Sequence, residues 1–375
     1  MIFPKLDNIK LSIEEYKRYS RHLVLDEIGV LGQKRLKNSK VVIIGLGGLG
    51  NLSLMYLAAS GIGCIGIVDY DVINLSNLQR QILYETNQVD LCKVEVAQSR
   101  ISNLNSLCKV VTYNTKLNLT NAFQILSEFD IIVDASDNFL TRYILSDLSY
   151  VLNKPLVYGA ILKTFGHISV FNYKGGPIYR DLYPIYPSQH LLASCGEGGI
   201  IGGVAAIISS LQVNEVLKII LGLEGVLTRE MVIYDFTQVS FRTISVKKKV
   251  LYTNEIIQEY LKSLEQQVYT IQSQRMKLLH NEITLSTLQN NGISYILVDV
   301  RTPQEFSVFH LSGAKNIPVS VIAQLHNTNF LQAQSKNGKM PVVYCESDSR
   351  SLAALIILSK LKIKVFRLKG ASLKL

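Results

Sequence analysis

What the chain lacks narrows its chemistry first. Its five cysteines, Cys64, Cys92, Cys108, Cys195 and Cys345, are odd in number and form no Cys-x-x-Cys pair. A disulfide framework and a four-cysteine zinc site are both disfavoured, and a reducing compartment is expected. Charge is scarce as well. Only 18% of residues are charged against 48% hydrophobic, which supplies a sizeable core and argues against extended disorder. No apolar run reaches the about 20 residues that a membrane span needs. The most apolar stretch, Gly198 to Leu211, runs into Gln212, Asn214 and Glu215 and is expected to be a buried or interface helix. Met1-Ile2-Phe3-Pro4-Lys5 has neither the apolar core of a secretion signal nor an Arg/Ser-rich transit composition, so a cytoplasmic protein, or an organelle-encoded one of the plastid stroma, is expected. The net charge is +10, yet Lys247-Lys248-Lys249 is the only basic run and no aromatic residues interleave with it. Nucleic acid is therefore not expected as a partner. ATP or an acidic protein explains the charge better.

What is present is organised around Lys40 to Arg80. Val41-Val42-Ile43-Ile44 reads as a strand, Gly45-Leu46-Gly47-Gly48-Leu49-Gly50 as a tight turn, and the segment up to Ser60-Gly61 as a helix. Ile65-Gly66-Ile67-Val68 is a second strand, stopping at Asp69. This is a nucleotide-binding βαβ opening: the glycines let backbone approach phosphate, and the helix start offers free N–H groups. Asp69 lies about 20 residues past the turn, where a carboxylate can take ribose hydroxyls. Next comes the polar loop Asn74-Leu75-Ser76-Asn77-Leu78-Gln79-Arg80-Gln81, and Lys93 soon after. Two cations at one crevice suit a triphosphate whose leaving group gains charge during reaction.

The length of 375 residues suggests two domains. Ser12-Ile13-Glu14-Glu15 is a capping-box helix start. Cys92 to Ile101 reads as a helix, Val110 to Tyr113 as a strand, and Ile131 to Asp134 as a strand leading into Ser136-Asp137-Asn138 and a helix with Arg142. Ligands of open α/β sheets sit at the carboxyl ends of strands, so Asp137 is expected at the same nucleotide as Asp69, through Mg²⁺. Pro155 to Ala160 is a further strand, Gly166 to Tyr173 an antiparallel one that makes the sheet mixed, and Gly175 to Pro187 a loop. Ser194-Cys195-Gly196-Glu197-Gly198-Gly199 is a second loop. Met231 to Phe236 is a strand. The expected boundaries are an ATP-binding domain over 1–248, a linker over 249–275 holding a helix near Asn254 to Glu265, and a smaller α/β domain over 276–375.

In that second domain Ile296 to Arg301 and Pro341 to Tyr344 read as strands, and the latter runs into Cys345-Glu346-Ser347-Asp348-Ser349-Arg350 and a helix. A cysteine between strand end and helix start sits in an anion-stabilising cradle, which lowers a thiol pKa or holds a persulfide. His310 is expected to be structural.

These residues carry a family resemblance. The glycine turn, Asp69-Tyr70-Asp71, Ser76 to Gln81, Lys93-Val94-Glu95 and Ser136-Asp137-Asn138 resemble the MoeB/ThiF-type adenylyltransferases, relatives of the ubiquitin-activating enzymes. Asp299-Val300-Arg301, Glu305-Phe306, His310-Leu311, Gly313-Ala314, Asn316-Ile317-Pro318 and the Cys345 loop are similar to a rhodanese domain. The resemblance implies a Rossmann-like adenylation domain with a mixed sheet, followed by a rhodanese-like α/β domain. It implies MgATP-dependent adenylation of the C-terminal Gly-Gly of a small ubiquitin-like sulfur carrier, the molybdopterin synthase small subunit foremost, with pyrophosphate released. Gly45, Gly47, Gly48, Asp69, Ser76, Asn77, Leu78, Gln79 and Asn138 would bind nucleotide. Asn77, Arg80 and Lys93 would hold phosphates and Asp137 the Mg²⁺. Arg21 would reach the ATP of a partner subunit in a homodimer. Cys345 would carry a persulfide and Cys195 would bond to the carrier.

Two departures bear on these expectations. Relatives with structural zinc have cysteines where this chain has Ile178 and Asp181. No zinc is expected, and that loop should be held by packing alone. The rhodanese loop departs at Glu346 and Asp348, whose carboxylates disfavour a neighbouring persulfide anion. Two other readings stand beside the main one: a non-catalytic docking protein for a ubiquitin-like partner, and an NAD-dependent oxidoreductase built on Gly45 to Asp69 alone.

Overall fold

The computed structural model describes residues 6, 8–186, 199–249, 253, 255–263, 266, 281–290, 294–345 and 348–369. Cys195, Glu346 and Ser347 lie outside the described residues. The chain forms two compact units, one through residue 263 and one from 266 on.

The first unit is built on an eight-stranded sheet. Its strands are β1 (Lys40–Ile44), β2 (Cys64–Val68), β3 (Lys109–Tyr113), β4 (Ile131–Asp134), β5 (Leu156–Leu162), β6 (Phe165–Phe171), β7 (Glu230–Asp235) and β8 (Ser240–Ser245), in the order β3-β2-β1-β4-β5-β6-β7-β8. The first five are parallel and the remaining pairs antiparallel. The central strands are apolar on both faces because helices cover both. Val41 and Ile43 pack with the helices Gly50–Ala59, Lys93–Leu104 and Gly202–Leu221. Val42 and Ile132 pack with Ala122–Ser127 and Phe139–Val151. The chain leaves β1 for β2 on one side and returns to β4 on the other. The reversal opens a crevice at their carboxyl ends, where α/β sheets take ligands.

The mixed sheet agrees with the alternation at Gly166 to Tyr173, and the structure corrects other expectations. The apolar helix is longer than its most hydrophobic run. It spans Gly202–Leu221, 20 residues, and is long and apolar enough to cross a membrane by length and composition alone, with 61% of its most apolar window buried. Gln212, whose polarity seemed to end the run, is buried inside that helix and donates to the carbonyl of Asp134 at 2.8 Å. Strand β8 went unpredicted because its face is exposed and no apolar alternation marks it.

The segment Gly175 to Pro187 is more than a loop. It contains a helical turn, Tyr179–Leu182, and more than packing holds it. Ile178 is buried against Ile257 of helix 255–263. The Asp181 carboxylate accepts from the N–H groups of Ile178 and Lys249, both at 2.8 Å. Arg180 donates to both oxygens of Asp147 at 2.6 and 2.8 Å. Its guanidinium lies 4.7 Å from the Tyr143 ring centroid and 4.2 Å from that of Tyr260. Burial raises the Asp147 pKa, and Arg180 opposes that shift.

The second unit has five parallel strands, β9 (Glu282–Ile283), β10 (Tyr295–Asp299), β11 (Lys315–Asn316), β12 (Met340–Tyr344) and β13 (Phe366–Leu368), ordered β11-β10-β12-β13-β9. Val298, Val343, Leu331 and Leu355 form the core on one face, and Leu297, Val342, Tyr344 and Leu368 on the other.

Candidate active sites of the two units

The glycine turn between β1 and its helix is fixed by close backbone approach. Gly45 has φ +94°, and a Cβ there would sit 2.8 Å from the Ala135 carbonyl oxygen. A Cβ on Gly50 would sit 1.8 Å from the Gly45 carbonyl oxygen. No side chain fits either place. The carbonyls of the turn are drawn inward: Leu46 accepts from the Tyr84 hydroxyl at 3.3 Å and Leu49 from the Ser209 hydroxyl at 2.9 Å. Among the described residues, the N–H groups of Gly47, Gly48 and Leu49 have no acceptor. They can serve an anion at the helix start.

Asp69 follows β2 beneath this turn. One carboxylate oxygen accepts from the Leu46 N–H at 2.7 Å and the other from the Asp71 N–H at 2.8 Å. Burial raises the Asp69 pKa, and Lys93 opposes the shift. Lys93 is buried and pairs with Asp71 at 3.1 Å. Arg80 follows the 3₁₀ turn Leu75–Asn77 and donates to the Ser76 carbonyl at 3.2 Å. A Cβ on Gly48 would lie 3.5 Å from Arg80 Cδ, so the arginine stem rests on the glycine. Burial lowers the Arg80 pKa, and the Asp137 carboxylate opposes that shift.

Strand β4 brings the next loop alongside. Asp134 is fully buried and accepts from the Ser136 N–H and hydroxyl at 2.9 and 2.6 Å. Arg142 donates to the Ser136 carbonyl at 3.1 Å. The loop is thus fixed from behind while Asp137 stays exposed. Asn138 caps the helix Phe139–Val151, accepting from the Thr141 N–H at 2.9 Å. Gln79 donates to the Ile200 carbonyl at 3.4 Å, Leu78 packs on the core, and Ser76 is exposed.

One crevice therefore gathers Gly45, Gly47, Gly48, Asp69, Arg80, Lys93 and Asp137. Arg21 is not part of it. It lies exposed on the helix Ser20–Leu23 and forms no ion pair or hydrogen bond among the described residues. The part that Asp134 and Arg142 play in fixing this loop went unread in the sequence. An acid at a strand end and an arginine one turn into the following helix were their only signals. No group of three or more His, Cys, Asp or Glu able to hold a metal occurs among the described residues. A single exposed carboxylate fits Mg²⁺ held chiefly by phosphate oxygens and water.

The second unit carries the cysteine cradle. Cys345 follows β12 and its sulfur accepts from the Ser351 N–H at 3.1 Å, within the first turn of the helix Asp348–Lys360. The expectation of a lowered thiol pKa is corrected here. The thiol is buried, only 5% exposed, and packs in the core with Val343 and Leu355. Its pKa is raised, because burial outweighs the opposing pulls of Ser351 and Arg350. Arg350 makes two bonds to Glu305, at 2.6 and 2.8 Å. Glu305 also closes a capping box with Thr302. Burial would raise the Glu305 pKa, but Arg350 and Thr302 hold it down at about 2. Asp299 and Arg301 form a buried ion pair at 2.7 Å, and Arg301 also donates to the Phe309 carbonyl at 2.5 Å. His310 stacks on Phe306 with ring centroids 3.9 Å apart, and its Nδ1 lies 2.8 Å from the Phe306 carbonyl oxygen.

Comparison with known proteins agrees with this division. The family model described as the ThiF family matches residues 19–253, and that of the rhodanese-like domain matches 284–373. A probable molybdopterin-synthase adenylyltransferase of Porphyra purpurea is 40% identical, over 96% of this chain and 92% of its own length. The adenylyltransferase and sulfurtransferase MOCS3 of Aedes aegypti is 38% identical, over 94% and 83%. A probable adenylyltransferase/sulfurtransferase MoeZ of Mycobacterium tuberculosis is 38% identical, over 93% and 90%. Among solved structures, E. coli MccB with ATP superposes with a TM-score of 0.55 at 23% identity, covering 67% of this chain and 76% of that one. That likeness concerns the fold.

Proposed function

Because this chain belongs to the ThiF family and carries a rhodanese-like domain, we propose that it activates and sulfurates a small ubiquitin-like sulfur carrier ending in Gly-Gly, the molybdopterin synthase small subunit foremost. A terminal carboxylate oxygen of the carrier attacks the α-phosphorus of ATP. A new P–O bond forms, the bond to pyrophosphate breaks, and an acyl-adenylate remains. The observation that carries this reading is the shared crevice of free N–H groups at Gly47 to Leu49, buried Lys93 and half-buried Arg80. Such a site stabilises charge on a departing pyrophosphate with little proton chemistry. In this reading Asp69 takes the ribose, and Ser76, Asn77, Leu78, Gln79 and Asn138 line the nucleotide. Asp137 would hold Mg²⁺, which would supply charge neutralisation at the phosphates. Arg21 completes the site of a second copy in a homodimer.

Sulfur transfer follows. The terminal sulfur of a Cys345 persulfide attacks the acyl carbon and AMP leaves, giving an acyl disulfide. A dithiol reductant cleaves that acyl disulfide, which releases the thiocarboxylate and returns the Cys345 thiol. Cys195 is this chain's candidate for a covalent bond to the carrier, a thioester formed when its thiolate attacks the acyl carbon and AMP leaves. A sulfur donor of the persulfide class must load Cys345 beforehand. The dithiol step suits a reducing cytoplasm or plastid stroma, which we propose as the compartment.

The test is ATP–pyrophosphate exchange with and without Gly-Gly carriers. Carrier-dependent exchange is expected, falling about 10²–10³-fold in Arg80→Ala. Carrier binding without any exchange would favour a docking protein instead.

A further inference from the structure

The first turn of the helix Gly50–Ala59 buries Asn51 completely. Its amide nitrogen donates to the Gly47 carbonyl at 2.7 Å and to the Gly48 carbonyl at 2.9 Å, and lies 3.4 Å from the Arg80 carbonyl. Its amide oxygen is buried without any partner. Leaving a buried acceptor unmet costs about 1–3 kcal/mol, so this position keeps an amide despite an energetic penalty. The bland explanation is that Asn51 merely back-bonds its own helix start. Two observations go beyond that.

First, Asn51 completes a pattern. The carbonyls of Leu46 and Leu49 are held inward by Tyr84 and Ser209. Asn51 holds the two between them. A peptide whose carbonyl points inward must show its N–H outward, and a glycine peptide can otherwise flip at low cost. Second, the same amide reaches the backbone of the residue whose side chain rests on Gly48. One buried group thus spans the phosphate-facing turn and the loop carrying Arg80.

We infer that Asn51 is a positioning residue for adenylation: its amide fixes the Gly47 and Gly48 peptides and ties them to Arg80, so that N–H groups and guanidinium meet one triphosphate. This rests on the adenylation reading above. Without the amide, the Gly48 carbonyl is free to turn toward the phosphates, the Gly47 carbonyl keeps only the Asn51 backbone N–H at 3.2 Å, and Arg80 loses its register with the turn. A misplacement of that kind acts on the chemical step more than on binding.

The experiment is a double-mutant cycle between Asn51→Ala and Arg80→Ala in the full chain. Readouts are carrier-dependent ATP–pyrophosphate exchange, MgATP binding by calorimetry and thermal unfolding. Asn51→Ala is expected to lower kcat about tenfold or more with KM for ATP changed less than threefold. In the Arg80→Ala background it should lower kcat less than twofold. Asn51→Asp, of equal size but unable to donate, should lose more than Asn51→Ala, and Asn51→Ser, which can reach one carbonyl, should lose less. These two variants keep the test open if Asn51→Ala does not fold. A drop in unfolding temperature with kcat per folded molecule unchanged would overturn the inference, as would a full additional loss in the Arg80→Ala background. Absence of MgATP binding by the wild-type chain would instead sink the adenylation reading, and the inference with it.

Discussion

The two cradles of this protein are built on one plan and finished in opposite ways. Each lies where a parallel strand passes through a short loop into a helix. At Gly45 to Gly50 the loop turns its carbonyls inward and leaves N–H groups unclaimed. At Cys345 the helix start is already used: the Ser351 N–H bonds the sulfur, and the thiol is packed in the core. An anion site for a soluble ligand must be open and prepaid in backbone geometry. A site for a covalently attached sulfur gains from closure, because the anion never has to diffuse in.

Their supports differ as well. The first unit braces a remote loop with the Arg180–Asp147 pair, whose side chains are 6% and 0% exposed. The second braces the cradle itself with Arg350–Glu305, whose side chains are 11% and 34% exposed. The sharpest way to break the comparison is Asp147→Ala. It strands a buried guanidinium and should destabilise by about 3–5 kcal/mol, seen as a lower denaturant midpoint at unchanged slope. If Glu305→Ala cost as much, the contrast between the pairs would fail. Its expected cost is about 1 kcal/mol, since one partner is partly solvated.

Gly50→Ala tests the open cradle. A Cβ forced against the Gly45 carbonyl should cost about 3 kcal/mol and abolish MgATP binding, measured by calorimetry on the folded fraction. Retained binding would mean that the turn is not the phosphate site. The closed cradle is tested by alkylation of Cys345 by iodoacetamide, with the other cysteines replaced. Its thiol pKa is raised by burial, so the rate should be slow at pH 7 and still climbing above pH 9. A plateau below pH 8 would contradict the closed arrangement.

The smallest effect is a pH dependence in the second unit. Glu305 titrates at about 2 in the folded chain, below its ordinary value. A depressed carboxylate contributes stability above its unfolded pKa and loses it as pH falls toward the folded one. The stability difference between wild type and Glu305→Gln should therefore shrink as pH drops from about 4.3 toward 2. A difference that stays constant across this window would show that the pair does not set the titration.

Much of this molecule was readable as a string. The glycine spacing, Asp69 and the alternation of apolar runs specify a Rossmann-like opening because backbone sterics and strand periodicity are local properties. Strand β8 escaped because an exposed edge strand need not alternate. Gln212 misled because a polar residue inside an apolar helix is legible only once its acceptor, the Asp134 carbonyl, is in place. The polar latch at Arg180 and Asp181 was invisible for the same reason. Its partners Asp147 and Lys249 lie 33 and 68 positions away.

The sequence alone determined that a nucleotide turn and a strand-end cysteine exist, and in which order, because each is a contiguous motif. Tertiary structure decided their states. The Gly47 N–H faces outward because Tyr84 is brought from 38 positions away to the Leu46 carbonyl. The Cys345 thiol is pushed up rather than down because core packing removes water from it faster than one helix N–H can compensate. Burial depends on every chain segment that covers an atom, and no stretch of sequence carries that information by itself.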